Sequence, residues 1–245
     1  MYIDDKGIVL RCVKYDDKSF VAHLFTVSSG HVSFMVNGSR GKRSGTSARL
    51  FQPLTFLSFQ WDAKPKASLQ RMKEARLLFV QQSVPLDPIK RSVAMLLSEF
   101  MVYTLRDEAS NPDLYLYIEH SFQWFDVAEE GYANFHLVFL LKLARFLGIA
   151  PNMEEYSDGD LFDLTNGHFS PYGVASETIM SAHDAQLLFL LGIMIALTEA
   201  IHDHFLAVAY HNINILIFNE VKIFQNDLQH GSAAHGEHCL GHIAA

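Results

Sequence analysis

Near residue 84 the hydrophobic period of this chain changes from two residues to between three and four, and that change limits the architectures open to it. Val32, Phe34 and Val36 alternate with Ser33, Met35 and Asn37; Leu57, Phe59 and Trp61 alternate with Ser58 and Gln60. Residues two apart share one face of a strand, so each run can bury one face and leave the other to solvent or a ligand. Strands are predicted near 7–15, 19–27, 31–37, 53–62 and 68–76. Turn signals separate them at Asp16-Asp17-Lys18, Ser28-Ser29-Gly30, Asn37 to Thr46 and Asp62 to Pro65. Between Phe56 and Leu57 the alternation skips, which reads as a bulge where a strand bends to close a barrel. Five short strands with one long loop fit a small closed β-barrel of OB type. An SH3-like barrel has comparable spacing and stays open as an alternative.

Past the switch the pattern is helical. Pro85 and Pro88 mark a helix start, and Ile89 to Leu105 runs without a breaker. Asn111-Pro112-Asp113 combines a capping acceptor, a proline at the first helical position and an acid in the first turn. The helix it opens carries Leu114, Tyr117, Ile118, Phe122 and Phe125 on one side. Asn134 to Leu147 is apolar nearly all round and stops at Gly148, with Pro151 beyond, as expected of a helix at the centre of a bundle. Residues 151–180, with Gly159, Gly167, Pro171 and Gly173, read as irregular, and two further helices are predicted at about 182–197 and 200–225. The fold class expected is therefore α+β in two domains: a five-stranded OB-type β-barrel over 1–80 and an all-α helical domain over 81–228. A His-rich tail, 229–245, is expected to be disordered.

The start Met1-Tyr2-Ile3-Asp4-Asp5-Lys6 lacks the basic flank and apolar run of a signal peptide. The longest apolar stretch, Leu187 to Leu197, falls short of the roughly 18 residues that suggest a membrane span, and reads as a buried helix. Cys12 and Cys239 make no disulfide framework, so the expected compartment is the cytoplasm and no membrane partner is implied.

Charge divides along the same line as period. Residues 1–80 hold 13 Lys and Arg against 6 Asp and Glu, a balance of +7; the remainder holds 6 against 21, a balance of −15. A basic small domain joined to an acidic one points to polyanion binding by the first and repulsion of polyanions by the second. The long loop, Asn37 to Arg49, concentrates Arg40, Lys42, Arg43 and Arg49 with three glycines and four hydroxyls. Cations neutralise phosphates, glycines admit a close backbone approach, and hydroxyls donate to phosphate oxygens. The spacing is not that of a Walker loop, and no helical pattern follows it. Phe20, Phe25, Phe34, Phe56, Phe59 and Trp61 could stack on bases, but a barrel needs most of them inside; one or two are expected at the surface, Trp61 and Phe20 foremost.

Other candidate chemistry is thinner. His183-Asp184 and His202-Asp203 resemble pairs in helical HD-type metal-dependent phosphohydrolases, yet adjacent helical residues point about 100° apart and no further ligands are singled out. His120 and Asp227 are available and nothing more. The tail residues His230, His235, His238, Cys239 and His242 could take a metal adventitiously, though incidental imidazoles are the plainer reading. Glu129-Glu130 beside Asp126 reads as a solvated acidic face. No Ser-His-Asp or Cys-His arrangement and no nucleophile-elbow sequence is present, so no catalytic residue is expected, and none of these residues calls for a metal or cofactor.

The segments Gly7-Ile8-Val9-Leu10-Arg11-Cys12-Val13-Lys14-Tyr15, Val36-Asn37-Gly38-Ser39-Arg40 and Leu50-Phe51-Gln52-Pro53-Leu54 resemble the amino-terminal barrel of the RecO family. The likeness continues through Leu97-Ser98-Glu99-Phe100, Asn111-Pro112-Asp113-Leu114-Tyr115 and Glu129-Glu130-Gly131-Tyr132-Ala133-Asn134-Phe135-His136, and then Leu143-Ala144-Arg145-Phe146-Leu147-Gly148 and Phe162-Asp163-Leu164-Thr165-Asn166-Gly167. It spans roughly residues 7–170 in family order. The resemblance implies a non-enzymatic recombination mediator that binds single- and double-stranded DNA and anneals complementary strands. It also implies partnership with RecR and, indirectly, RecA loading on strands coated by single-stranded-DNA-binding protein (SSB). The family's DNA-binding barrel surface carries over to Arg40, Lys42, Arg43 and Arg49, and also to Arg11, Lys14, Arg71 and Lys73. The counterpart of a groove that takes the SSB tail in some members is the helix around Phe135, Lys142 and Arg145.

Two departures qualify the likeness. Some members hold zinc through four cysteines after the central helix; here Phe162 to Pro171 offers His168 alone. After about residue 175 the family's basic positions are missing apart from Lys222, which puts docking of an acidic SSB tail in doubt. A phosphohydrolase or a non-catalytic protein-interaction adaptor remains the alternative.

Overall fold

The computed structural model describes residues 2–16, 19–37, 50–64, 67–171 and 178–200. Five strands, β1 (Tyr2–Lys14), β2 (Ser19–Thr26), β3 (Gly30–Asn37), β4 (Phe56–Asp62) and β5 (Gln70–Leu77), close into a barrel in the order β1-β2-β3-β5-β4. Every neighbouring pair is antiparallel except β3 and β5, which run parallel and pair at Phe34↔Gln70 and Met35↔Arg71. This is the OB-type arrangement; five strands come from the five alternating runs.

The interior holds Val9, Phe20, Ala22, Leu24, Phe34, Val36, Phe51, Leu57, Phe59, Trp61 and Ala75. Phe34 lies edge-to-face with Phe59 and Trp61 at 5.3 and 5.4 Å between centroids, and Phe20 meets Phe51 at 5.2 Å. Burying each such ring contributes about 1.5–3 kcal/mol. All six aromatics considered as stacking platforms are buried, Phe20 and Trp61 included, at 9% and 3% exposure. The barrel core takes Phe20, Phe34, Phe59 and Trp61, while Phe25 and Phe56 are buried outside that cluster. Trp61 Nε1 finds an acceptor inside: it donates to Asp5 at 3.1 Å, and Asp5 also receives Ser28 Oγ at 2.6 Å and the Ser28 and Lys6 amides.

The skipped alternation at Phe56-Leu57 is not a bulge. Leu57 faces the barrel interior, whereas Phe56 stacks on Phe79 at 4.7 Å and approaches Phe122 of the helical layer at 6.0 Å. Both faces of β4 are buried at that end, and the pattern records two cores. The register shift of β4 on β5 falls between Phe59 and Gln60, opposite Glu74, whose φ is 47°. A second shift, in β1, falls between Val9 and Arg11.

Three helices, α1 (Pro88–Thr104), α2 (Pro112–Val127) and α3 (Phe135–Phe146), follow. Asp87 caps α1, accepting the Ile89 and Lys90 amides, and Asn111 caps α2 through the Leu114 amide at 3.0 Å. Leu114, Ile118, Phe122 and Phe125 are fully buried, as the helical period requires. Past α3, Gly148 has φ 70°, its amide reaches the Arg145 carbonyl, and the Ile149 amide reaches Ala144. This double closure is a Schellman end. Asp126, taken as part of a solvated acidic face, is instead buried and accepts the amides of Gln82, Ser83 and Val84 at 2.8–2.9 Å. Beside it the buried Lys90 ammonium donates to Ser83 Oγ and to the Asp126 and Ala128 carbonyls, supplying from α1 the positive charge that the last turn of α2 lacks.

The turn between β2 and β3 is stapled to the connection between α1 and α2. His31 N donates to the Glu108 carbonyl at 3.0 Å and Ser110 Oγ to the Val27 carbonyl at 2.8 Å. Gly30, at φ 66°, has no room for a Cβ: it would collide with the backbone of Glu108 and Ala109.

The described residues fall into two compact units, the first within Met1–Ala128 and His136–Ala150 and the second comprising Glu129–Phe135 and the described residues from Pro151 to Ala200. The barrel and first helices thus share a unit, whereas the expected boundary at 80/81 follows the change of period. Within the second unit, residues read as irregular form a 3-10 turn (Met153–Glu155) and a small antiparallel sheet, β6 (Leu161–Asp163), β7 (His168–Ser170) and β8 (Ile179–Met180), in the order β7-β6-β8. Strands of two or three residues are too short to display a period. Asp163 shapes the β6–β7 turn by accepting from the Thr165 and Asn166 amides and from Asn166 Nδ2. Phe162, Phe169 and Ala185 form the unit's core with Tyr156 and Phe189, whose rings stack at 4.2 Å. Helix α4 (Ala182–Ala200) buries Leu191 and Ile195 but exposes Leu190 and Ile193, so it is not buried all round. No helix among the described residues is long and apolar enough to cross a membrane.

Candidate nucleic-acid interface

Because β1, β2 and β3 are paired in unbroken register at their outer ends, their outward residues form rows. One row runs Arg11, His23, Ser33; the next runs Val13, Val21, Met35 and on to Arg71 of β5. Inward neighbours such as Phe20, Ala22 and Phe34 carry the core, so these rows are the outer face by pleat alone. Arg11 and Arg71 are both exposed and mark the two margins of this face. Three inter-strand steps separate β1 from β5, about 14 Å along the sheet. A sugar–phosphate chain fits across that width.

The remaining candidates distribute unevenly. Lys14 is exposed at the end of β1, opposite Phe20, and Lys73 is exposed on β5 with its ammonium 4.9 Å over the Tyr2 ring. Lys73 pairs with Gln60, whose amide donates to Asp4, so its surroundings are mixed in charge. Arg40, Lys42, Arg43 and Arg49, the densest cations of the sequence, lie outside the described residues. They connect β3 to β4.

The sequence analysis missed three groups on this side of the barrel. Tyr15, 67% exposed beside Lys14, is an aromatic free to stack where the six in the strands are not. Its position next to the Asp16-Asp17-Lys18 turn was the available signal. His23 and His31 stack with ring centroids 5.6 Å apart and 9° between planes, and His23 Nδ1 lies 2.9 Å from Ser33 Oγ. Burial pushes both imidazoles below the usual histidine range. Arg11 and Arg106 push the same way, His31 further opposes protonation of His23, and Asp107 partly offsets the shift at His31.

Of the candidate partner-binding residues, Phe135 is fully buried and Lys142 nearly so, with Arg145 half-buried. No group of three His, Cys, Asp or Glu suited to a metal occurs among the described residues. His183 and Asp184 open α4, where Asp184 accepts from Ser181 Oγ at 2.6 Å; His202, Asp203, Asp227 and the tail histidines lie outside the described residues.

Comparison with known proteins matches residues 1–80 to the family described as Recombination protein O N terminal and residues 85–187 to Recombination protein O C terminal. A DNA repair protein RecO of Bacteroides fragilis is 43% identical over 164 residues, covering 67% of this chain and 68% of the relative. One from Phocaeicola vulgatus is 42% identical over 163 residues, covering 66% and 68%. One from Flavobacterium psychrophilum is 31% identical over 188 residues, covering 76% and 77%.

Proposed function

The chain belongs to the RecO family, and from that premise we propose that it is a DNA repair protein whose barrel holds sugar–phosphate chains without reading their sequence. The observation that carries the proposal is the outer face of β1–β2–β3–β5, edged by Arg11 and Arg71 and continuous in chain with the cationic loop 38–49. Phosphate contacts of this kind fix a strand in place and carry no sequence information. Tyr15 supplies a stacking surface for one unpaired base.

Annealing follows from the same chemistry. Two strands repel through their phosphates; cations that neutralise them lower the barrier to pairing, and no covalent step is needed. We therefore assign no catalytic residue, with single- and double-stranded DNA as ligands and RecR, SSB and indirectly RecA as partners in the cytoplasm. Most of the DNA-binding surface lies in residues 1–80, because the following chain, at −15, is on balance repulsive to the polyanion.

Salt dependence tests this. The slope of log K against log[salt] on single strands should be near −0.7 per phosphate contact. Replacing Arg40, Lys42 and Arg43 together by Ala should reduce its magnitude by about 2 and weaken all sequences alike. An unchanged slope removes the loop from the interface. Annealing of SSB-coated oligonucleotides by the same variants then reports whether strand pairing depends on it.

A further inference from the structure

Resting on the DNA-binding reading above, we propose that Arg11, His23, His31 and Arg106 form a second phosphate subsite, whose hold on a nucleic-acid strand tightens as the two imidazoles take up protons. Four elements converge there. Arg11 of β1 is paired in register with His23 of β2, and His31 of β3 lies over His23 with parallel rings. Arg106 belongs to the connection after α1, two residues before the carbonyl that receives the His31 amide. The staple at Val27–Ser110 and the tight seat of Gly30 against Glu108 and Ala109 hold that connection against the β2–β3 turn.

Two exposed guanidiniums and two imidazoles gathered on one solvent-facing surface make a set of donors suited to an anion. Asp107 is the opposing charge here, and it acts on His31 alone of the two. Ser33 Oγ, 2.9 Å from His23 Nδ1, engages that nitrogen and leaves Nε2 of His23 for a ligand. Without a ligand the imidazoles stay neutral near pH 7, since burial and the neighbouring cations both oppose a proton. A phosphodiester held by Arg11 and Arg106 reverses that balance by placing a negative charge beside the rings, and protonated imidazoles then donate to it. By linkage, the affinity gain appears as pH falls through the bound-state value and stops growing below the free-state value.

The test uses the full chain and oligothymidine, whose bases do not titrate between pH 6 and 8, at constant ionic strength. Affinity should rise about tenfold from pH 7.5 to 6.0, the gain expected for a mean uptake of about 0.7 proton over that range. His23→Gln, His31→Gln and Arg106→Gln should each flatten this dependence, while the Arg40, Lys42 and Arg43 triple variant should lower affinity at every pH and keep the slope. Retention of the full slope by both histidine variants overturns the proposal. Imidazole proton resonances followed with inorganic pyrophosphate as probe separate the two ideas. If oligothymidine fails to bind at low salt but pyrophosphate raises both imidazole midpoints, the anion site stands and the DNA reading falls. If neither ligand moves them, the subsite is absent.

Discussion

Replacing Gly30 by Ala should cost the first unit about 3–4 kcal/mol, and the structure allows the parts to be separated. A left-handed φ of 66° costs an L-residue about 1–2 kcal/mol. A Cβ there would enter the backbone of Glu108 and Ala109, which cannot rotate aside as a flexible side chain could. The β2–β3 turn must lift away, and lifting it breaks two hydrogen bonds, His31 N to the Glu108 carbonyl and Ser110 Oγ to the Val27 carbonyl. Each is worth about 1 kcal/mol net. Gly148→Ala provides the control: φ is 70° and nothing lies within 4 Å of the added atom. It should lose only the conformational part, about 1–2 kcal/mol. Urea unfolding followed by circular dichroism measures both, with a melting temperature near 10 °C lower for Gly30→Ala at 2–4 °C per kcal/mol. Equal losses for the two variants would refute the reasoning, because the difference between them is the stapled contact itself.

Other perturbations probe separate parts of the molecule. Asp126→Ala strips three backbone amides of their acceptor and should cost about 3 kcal/mol or more, read by the urea midpoint; Asp126→Asn should recover part of it. Lys90→Met should cost about 1–3 kcal/mol, since it takes the ammonium from the Ala128 carbonyl and leaves the Asp126 carbonyl with Ser83 Oγ alone, while keeping the side-chain volume. Asp5→Ala should shift Trp61 emission and lower stability by about 2–3 kcal/mol, because the indole N–H then lies buried without an acceptor. Hydrogen bonds from Asn166, foremost, and from the Thr165 amide hold the Asp163 carboxyl below its usual range. Its contribution to the β6–β7 turn is therefore complete above the ordinary carboxylate value and lost as pH falls through the lowered one, a loss that amide exchange of residues 163–168 would follow and that Asn166→Ala should move to higher pH.

Much of the first unit is legible in sequence because its signals are local. Alternation in 31–37 and 57–61 places the strands, Asn111-Pro112-Asp113 places the start of α2, and Gly148 its counterpart at the end of α3. What stayed hidden is long-range. The burial of Asp126 and Lys90 depends on backbone groups some forty residues away, and a charge looks solvated until its partner is known. Phe56 broke the alternation because β4 serves two cores, which a one-dimensional pattern renders as a defect. The proposed nucleic-acid face was only half visible: Arg11 and Arg71 stand out by charge, but the approach of Arg11, His23 and His31 to the connection after α1 needs three strands and that connection in place.

The parallel ladder of β3 on β5 joins only two residue pairs, whereas β2 and β3 are joined along their whole length. Thermal breathing of the cylinder should therefore begin at this seam, and amides of Met35 and Arg71 should exchange with solvent ahead of those facing β2. Arg71 sits on one lip of the seam and Met35 on the other. A ligand lying over both would act as a strap, slowing the split it spans, so occupancy would be detectable as local protection even under conditions where global unfolding does not change.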